Sequence, residues 1–270
     1  MKLAFMGSGV MAEAFIKGIL AKGLASPSDI SVSDVDAGRR GFLTKEYGVK
    51  AVAENSKAIP DAEVVVMAIK PQNLAEVMAD LKGKLQPHQL VVSIVAGATM
   101  STLTTGLGHR TVIRTMPNTP GQIGQGMTVW MATEAVSTAQ KEQARQVLTV
   151  LGREIYADKE DYLNIDTALS GSGPAYVFLI LEALTEAAVY LGMPWAAAKE
   201  MAIQTVAGSA LLAQSSGKPL AELRNQVTSP GGTTAAGLLK LEEGKLRAVL
   251  AEAVIAACEK ARALGGDGKK

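Results

Sequence analysis

Residues 3–21 read LAFMGSGVMAEAFIKGILA and predict a β-strand, a glycine-rich turn and an α-helix in immediate succession. Leu3–Met6 is an apolar run typical of a buried strand, and Gly7–Ala12 follows the pattern G-x-G-x-x-A. In that pattern the first glycine permits a tight turn, the second lets the backbone approach a pyrophosphate, and the alanine allows close helix–strand packing. The helix N-terminus faces the anion. The stretch therefore predicts a dinucleotide site.

Further strands of the same kind follow along the chain. They are short apolar runs without polar alternation, as expected of strands buried on both faces of a parallel sheet, and helical patterns separate them. The runs are Ile30–Ser33, Val64–Ala68, Leu90–Ile94 and Val112–Arg114; the helical segments are Met11–Ala21, Ala37–Tyr47 and Leu74–Leu85. A helix over Thr138–Leu151 and a strand over Arg153–Ala157 complete the pattern. We expect a doubly wound α/β domain over residues 1–158.

Residues 159–270 have a different character, because no strand-like run recurs there. Glycine and proline pairs divide this part into helices, predicted at about 161–168, 174–191, 195–214, 219–226, 233–243 and 247–264. One predicted break falls at Gly171–Pro174. The expected fold class is thus an α/β sheet domain followed by an all-α domain.

The helix that begins at Pro174 is apolar on nearly every face, with Glu182 and Glu186 on one strip. Such a helix must be buried on most faces, and a helical half of this size hides it only with difficulty. We therefore expect a homodimer in which this helix packs against the partner's helices. The apolar stretch Ala175–Leu191 is too short and too charged to predict a membrane span, so a cytoplasmic protein is expected.

The composition of the chain argues against nucleic acid and zinc as ligands. The chain has 27 Lys and Arg against 26 Asp and Glu, with no basic stripe of the kind that binds nucleic acid. Two histidines and one cysteine argue against a zinc site. Cys258 lies among apolar residues at helical spacing and is expected in the core. His88 and His109 lie between predicted elements and are expected to be surface loop residues.

The end of the second strand carries two opposing signals on the cofactor. Asp34 follows Ile30–Ser33, where an acidic side chain normally receives the ribose hydroxyls and repels a 2′-phosphate. Arg39 and Arg40 follow closely and would suit that phosphate, unless they belong to a solvated helix face. Use of both NADH and NADPH is therefore expected.

Two proline-containing loops follow buried strands at the edge where ligands of open α/β sheets bind. One is Ala68-Ile69-Lys70-Pro71, and the other is Met116–Gly121, where prolines flank Asn118 and Thr119. The second loop is expected to hold the nicotinamide ring. Ordinary proline-braced turns are the alternative for both.

Two segments of the helical half are candidate anion or substrate sites. Ser229-Pro230-Gly231-Gly232-Thr233-Thr234 opens a helix, and its hydroxyls and backbone N–H groups suit a carboxylate. Thr167–Pro174 places hydroxyls and glycines before the apolar helix. Simple helix capping is the alternative for each.

The motifs GSGVMA, AIKP, VVSIVAG, MPNTP, SGSGPAY and SPGGTT occur in the order and spacing of pyrroline-5-carboxylate reductases, and the chain resembles that family over essentially its whole length. The resemblance implies a Rossmann domain, a helical dimerisation domain and reduction of 1-pyrroline-5-carboxylate to L-proline by NADPH or NADH. It also implies a homodimer, with larger assemblies such as decamers in many members.

Site residues also follow from the resemblance. It places the cofactor on Met6, Gly7, Ser8, Gly9, Val10, Met11, Asn55, Ala68, Ile69, Lys70 and Pro71, to which the residue patterns add Asp34, Arg39 and Asn118. It places the substrate carboxylate on Ser229, Gly231, Gly232, Thr233 and Thr234. Thr167 aligns with a threonine proposed in the family to bond the ring nitrogen and relay its proton. Asp34 is a departure, because NADPH-preferring relatives often carry a small neutral residue there.

Two other functions remain open at this point. A β-hydroxyacid dehydrogenase or another imine reductase shares the layout, but such dehydrogenases place an Asn four residues after a Lys, and Ile203 follows Lys199 at that spacing. A non-catalytic nicotinamide-binding sensor would keep the GSGVMA turn and would not need SPGGTT.

Overall fold

The computed structural model describes residues 1–266, and its contacts divide the chain into two units. The first unit comprises Met1–Ser172 and the chain from Ala256 onward, and the second is Gly173–Ile255. The first unit contains an eight-stranded sheet of order β3-β2-β1-β4-β5-β6-β7-β8. Its strands are β1 (Leu3–Met6), β2 (Ile30–Ser33), β3 (Lys50–Val52), β4 (Val64–Met67), β5 (Leu90–Ser93), β6 (Val112–Pro117), β7 (Gly126–Ala132) and β8 (Gly152–Tyr156).

The sheet is mostly parallel, and its central strands are buried on both faces. β1 to β6 run parallel, β7 pairs antiparallel to β6, and β8 is parallel to β7. Leu3 and Phe5 of β1 belong to one apolar core, and Ala4 and Met6 belong to the other. This alternation explains the continuous apolar run. The expected doubly wound α/β fold is confirmed.

Helices cover the two faces and cross between the strands. They are α1 (Val10–Ala21), α2 (Ala37–Tyr47), α3 (Asn55–Ala58), α4 (Leu74–Leu81), α5 (Met100–Leu107), α6 (Thr138–Leu148) and α7 (Asp161–Asp166). Cys258 is buried, as expected. His109 is also buried and its Nε2 lies 2.7 Å from the Gln89 carbonyl oxygen, so its prediction as a surface residue was wrong.

The sequence patterns missed several boundaries. β3 and β7 were not predicted, and β6 continues through Pro117, so the loop that carries Asn118 begins two residues later than expected. The helix predicted to reach Leu85 ends at Leu81. α6 ends at Leu148, because Thr149–Leu151 tightens into a 3₁₀ turn.

The break expected at Gly171–Pro174 is absent from the described chain. A π turn over Thr167–Gly171 joins α7 to α8 (Gly173–Tyr190), and the helix continues from Asp161 to Tyr190. The Ser172 N–H donates to the Thr167 carbonyl oxygen at 2.8 Å, an i→i+5 bond that absorbs one extra residue without ending the helix. Pro174 lies in the first turn of α8, where its missing N–H is tolerated.

The second unit consists of helices between Gly173 and Ile255. After α8 come α9 (Trp195–Ser216), α10 (Leu220–Gln226), α11 (Thr233–Glu243) and α12 (Leu246–Leu264), whose end belongs to the first unit. In a single copy, Thr185 is the one residue of α8 that is buried, while Phe178 and Leu179 are exposed. Among residues 1–266, Asp161–Tyr190 is the one helix whose length and composition would suit a membrane span, which by itself is weak evidence of one.

Candidate active site

The turn between β1 and α1 is shaped by its two glycines. Gly7 has a φ of 92°, and a Cβ there would lie 2.6 Å from the Ala68 carbonyl oxygen, so the position requires glycine. A Cβ on Gly9 would meet no described atom within 4 Å, so the space beside its Cα is open. Gly9 caps α1 without a side-chain hydrogen bond among the described residues. An open face and an uncapped helix N-terminus fit a dinucleotide pyrophosphate.

Asp34 lies beside this turn, at the end of β2. Its carboxylate accepts hydrogen bonds from the Ser8 backbone N–H at 2.8 Å, from the Ser8 hydroxyl and from the Asp36 N–H. Burial by itself would raise the pKa of Asp34, but these hydrogen bonds and the nearby Arg39 hold it below the usual value. Asp34 is therefore a fixed negative charge at the position where a ribose is expected.

Both candidate phosphate-binding arginines contact protein groups. Arg39 donates to the Ser8 carbonyl oxygen and pairs with Glu13 at 2.8 Å. Arg40 donates to the Asp34 carbonyl oxygen at 2.7 Å. These contacts hold both side chains against the protein, so neither is simply a solvated helix face.

The turn after β4 packs against the glycine-rich turn. The Ala68 N–H donates to the Met6 carbonyl oxygen at 2.8 Å, and the Ala68 carbonyl fills the space that a side chain at Gly7 would need. Lys70 is exposed, and Pro71 begins a short 3₁₀ turn. The structure thus brings the predicted GSGVMA and AIKP segments together.

Asn55 lies at the start of α3, close to the end of β2. Its side-chain oxygen accepts from the Ser33 hydroxyl at 2.6 Å, and its Nδ2 donates to Asp80 at 3.0 Å. Ser33 was not singled out in the sequence, because a serine at the end of a strand carries no distinguishing pattern.

Asn118 fixes the loop that follows β6. Its Oδ1 accepts from the Met127 N–H at 2.9 Å, and its Nδ2 donates to the Ser170 carbonyl oxygen at 3.1 Å. The amide therefore joins this loop to the π turn. Each amide atom retains capacity for a second hydrogen bond.

Thr167 begins the π turn and is half-buried. Its Oγ1 donates to the Leu163 carbonyl oxygen at 2.7 Å, and its own carbonyl oxygen accepts from the N–H and the hydroxyl of Ser172. The hydroxyl hydrogen is thus engaged within the helix. The oxygen lone pairs remain available, so the hydroxyl is oriented to accept a hydrogen bond from a ligand.

The SPGGTT segment leads into α11 in the second unit. Gly232 is the N-cap residue, and no side chain within residues 1–266 caps the helix, so simple capping by Thr233 does not occur. Gly231 has a φ of 70°, and a Cβ on Gly232 would lie 2.5 Å from the Ser229 hydroxyl oxygen. Ser229 therefore packs directly against the helix start, where exposed N–H groups suit a carboxylate.

The chain is similar to known proteins over its full length. Residues 160–264 match the family model for the pyrroline-5-carboxylate reductase dimerisation domain, and residues 2–97 match that for an NADP oxidoreductase, coenzyme F420-dependent. The pyrroline-5-carboxylate reductase of Pseudomonas aeruginosa is 40% identical over 264 residues, 97% of this chain and 96% of that protein.

Two solved structures show the same fold. A pyrroline-5-carboxylate reductase from Coxiella burnetii superposes with a TM-score of 0.91 at 37% identity, covering 97% of this chain and 98% of that one. The Plasmodium falciparum pyrroline carboxylate reductase with NADP bound gives 0.88 at 30% identity, covering 98% of both chains. The glycine-rich dinucleotide-binding turn, the match to the dimerisation domain and these full-length relatives agree. This oxidoreductase belongs to the pyrroline-5-carboxylate reductase family.

Proposed function

We propose that this chain reduces 1-pyrroline-5-carboxylate to L-proline with hydride from NADPH or NADH, the last step of proline synthesis. The observation that carries the proposal is a pair of helix N-termini, at α1 and α11, that no described side chain caps. One has the shape for a pyrophosphate and the other for a carboxylate. The full-length relatives act on a substrate that carries such a carboxylate.

The cofactor is assigned to the first unit. The residues proposed to hold it are Met6 to Met11, Asp34, Arg39, Asn55, Ala68 to Pro71 and Asn118. When bound, the reduced nicotinamide supplies a hydride to the C=N carbon. Asp34 favours the ribose hydroxyls of NADH, while Arg39, which the Ser8 carbonyl and Glu13 hold through its Nε and Nη2, keeps its Nη1 group for a 2′-phosphate. Both cofactors are therefore expected to work.

The substrate carboxylate is assigned to the start of α11. Ser229, Gly231, Gly232, Thr233 and Thr234 offer hydroxyls and backbone N–H groups there. A helix N-terminus contributes about 0.3–1 kcal/mol to anion binding in the open and up to about 2 kcal/mol when partly buried.

Thr167 is proposed to meet the ring nitrogen. Because its hydrogen is donated to Leu163, its oxygen accepts the N–H of a protonated imine. Hydride addition to the carbon converts this C=N–H⁺ group into a neutral amine that keeps the same hydrogen. The step then needs no strong acid, which agrees with a chain that has only two histidines.

The number of subunits and the cellular location of the protein are also proposed. We propose a homodimer that covers α8, and the match to a dimerisation domain supports it. We also propose further assembly, as in a decamer, a cytoplasmic location and no membrane partner. The near balance of charges supports the absence of a nucleic-acid partner. Burial of α8 against a second copy accounts for its apolar surface without a bilayer.

The test is consumption of NADPH or NADH in the presence of 1-pyrroline-5-carboxylate, with L-proline as the product. Thr167→Ala is expected to lower kcat about tenfold or more, and Thr234→Val to raise the KM for the substrate by a similar factor. Thr104→Ala is a matched control, since Thr104 Oγ1 also donates to a helix carbonyl, that of Met100, at 2.9 Å. Unchanged kinetics in both site variants would refute the site assignment.

A further inference from the structure

Asp166 is a buried carboxyl group that the proposed reaction does not yet use. The residue is 6% exposed, and its Oδ2 is one of three buried side-chain oxygens in residues 1–266 without a hydrogen-bond partner. The other two are the hydroxyls of Thr115 and Thr128 in the sheet. A carboxyl group in such surroundings is costly, so its presence calls for a compensating role.

Asp166 anchors the π turn directly beside Thr167. The Ser170 hydroxyl donates to Asp166 Oδ1, and the Ser170 carbonyl oxygen accepts from Asn118 Nδ2 at 3.1 Å. Asn118 Oδ1 then accepts from the Met127 N–H at 2.9 Å. A continuous series of hydrogen bonds therefore runs from the buried carboxyl to the loop after β6.

The π turn needs such an anchor. It holds one residue more than an α-helical turn, and it is typically retained where function favours it. If the turn relaxed to α-helix, Ser170 would move relative to Thr167, and the bond to Asn118 would be lost. The Asp166–Ser170 bond spans four residues across the turn and ties Ser170 to the residue that precedes Thr167.

We propose that Asp166 is a positioning residue: through Ser170 it fixes the π turn, and thereby holds Thr167 and the Asn118 loop in one arrangement. The proposal rests on the proposed function, because it takes Thr167 as the partner of the ring nitrogen. Asp166 itself is not proposed to touch substrate or cofactor.

The burial of Asp166 shifts its protonation. Burial raises its pKa to about 6, against the opposing effect of the Ser170 hydrogen bond. The role itself needs only an acceptor oxygen for the Ser170 hydroxyl, in either protonation state of the carboxyl group. Asparagine keeps that acceptor at the same place, whereas alanine removes it.

The experiment compares Asp166→Ala, Ser170→Ala, the double variant and Asp166→Asn in the full-length protein, with 1-pyrroline-5-carboxylate and NADPH. Each alanine change is expected to lower kcat about tenfold, because displacement of a positioned group by a fraction of an ångström to an ångström has effects of this order or larger. The double variant is expected to lose no more than either single variant, since both break one bond.

Two further readouts separate positioning from general structure. The KM for NADPH is expected to change less than about twofold, and Asp166→Asn to recover most of the lost kcat. Asp161→Ala is the matched control, an exposed aspartate on the same helix that pairs with Arg262 and is expected to leave kcat unchanged.

Normal kcat in Asp166→Ala, additive losses in the double variant, or no recovery with asparagine would overturn the proposal. If Asp166→Ala does not fold, Ser170→Ala decides: normal kcat refutes the role, and a lowered kcat with an unchanged unfolding midpoint supports it. Inactivity of the wild type would instead refute the proposed function, and a fully active Thr167→Ala would refute the role of Thr167 on which this inference rests. An active wild type with a defective Thr167→Ala and a normal Asp166→Ala refutes only this inference.

Discussion

At the scale of single residues, Asp34 links the shape of the cofactor site to its charge. Its carboxylate is held by Ser8 and the Asp36 N–H, so it cannot swing away from a ribose phosphate without losing those bonds. Replacing it with Ser removes the repulsion. Asp34→Ser is expected to raise the ratio of kcat/KM for NADPH over that for NADH by about tenfold or more.

The control for Asp34 is Asp61→Ser, an exposed aspartate elsewhere in the first unit. It is expected to leave the ratio unchanged. A wild type that already prefers NADPH a hundredfold would show that Arg39 and Arg40 outweigh Asp34, and an unchanged ratio in Asp34→Ser would show that Asp34 does not set the preference.

The raised pKa of Asp166 predicts how the free energy of unfolding changes with pH. Because its pKa is raised to about 6 in the folded chain, the folded state binds a proton more tightly than the unfolded state between about pH 4 and 6. This contribution to stability is fully present at about pH 4 and is lost as the pH rises through 6. Asparagine does not titrate, so Asp166→Asn does not lose this contribution. From pH 4 to pH 6 and above, its free energy of unfolding should rise relative to that of the wild type by roughly 1–3 kcal/mol. Chemical denaturation at pH 4, 5, 6 and 8 measures the difference; a constant difference contradicts it.

At the scale of elements, the β1–α1 turn separates the needs of the fold from those of the ligand. Gly7→Ala places a Cβ against the Ala68 carbonyl and forces alanine to a φ of 92°, so it should lower the free energy of unfolding by about 1–3 kcal/mol. Gly9→Ala meets no described atom within 4 Å at a φ of −65°. It should keep the unfolding midpoint and raise the KM for the cofactor about tenfold or more. Equal effects of the two variants on stability would contradict this division.

The same scale shows what sequence patterns predict and what they miss. Strands buried on both faces, such as Val64–Met67, are predictable because every residue must be apolar. β3 is short and partly exposed, and β7 mixes Thr128 with Trp130, so neither shows a clear period. Gly171 and Pro174 indicated a break because both residues destabilise the interior of an isolated helix. The helix continues past them through the i→i+5 bond from the Ser172 N–H to the Thr167 carbonyl oxygen, which no sequence pattern reveals.

In the candidate site, too, local features can be predicted from sequence and long-range contacts cannot. Glycine-rich turns can be placed from spacing alone, because backbone conformation and ligand approach restrict them locally. The direction of the Thr167 hydroxyl and the contacts of Asn118 cannot, since they depend on the Leu163 and Ser170 carbonyls. Asp166 was not singled out from sequence, because only its burial distinguishes it from other aspartates.

At the scale of the whole molecule, the exposed apolar surface of α8 is the proposed contact with a second copy of the chain. Phe178 is 59% exposed and Leu179 is 66% exposed in a single copy, and burial of one such side chain contributes about 1.5–3 kcal/mol. The family model that matches residues 160–264 is a dimerisation domain, and dimerisation would cover this surface. Leu179→Lys is therefore expected to convert the dimer, or any larger assembly, to monomer at micromolar concentration in sedimentation analysis.

Ile123→Lys provides the comparison for that variant, because Ile123 is 76% exposed in the first unit and a lysine there adds the same charge. It should sediment like the wild type. Leu179→Lys should also lose reductase activity at low concentration and recover part of it as the concentration rises, since mass action couples assembly to the folded second unit. A wild type that sediments as a monomer at micromolar concentration would contradict the assignment of α8 to a dimer interface. It would leave the apolar face of α8 without the partner that its sequence requires.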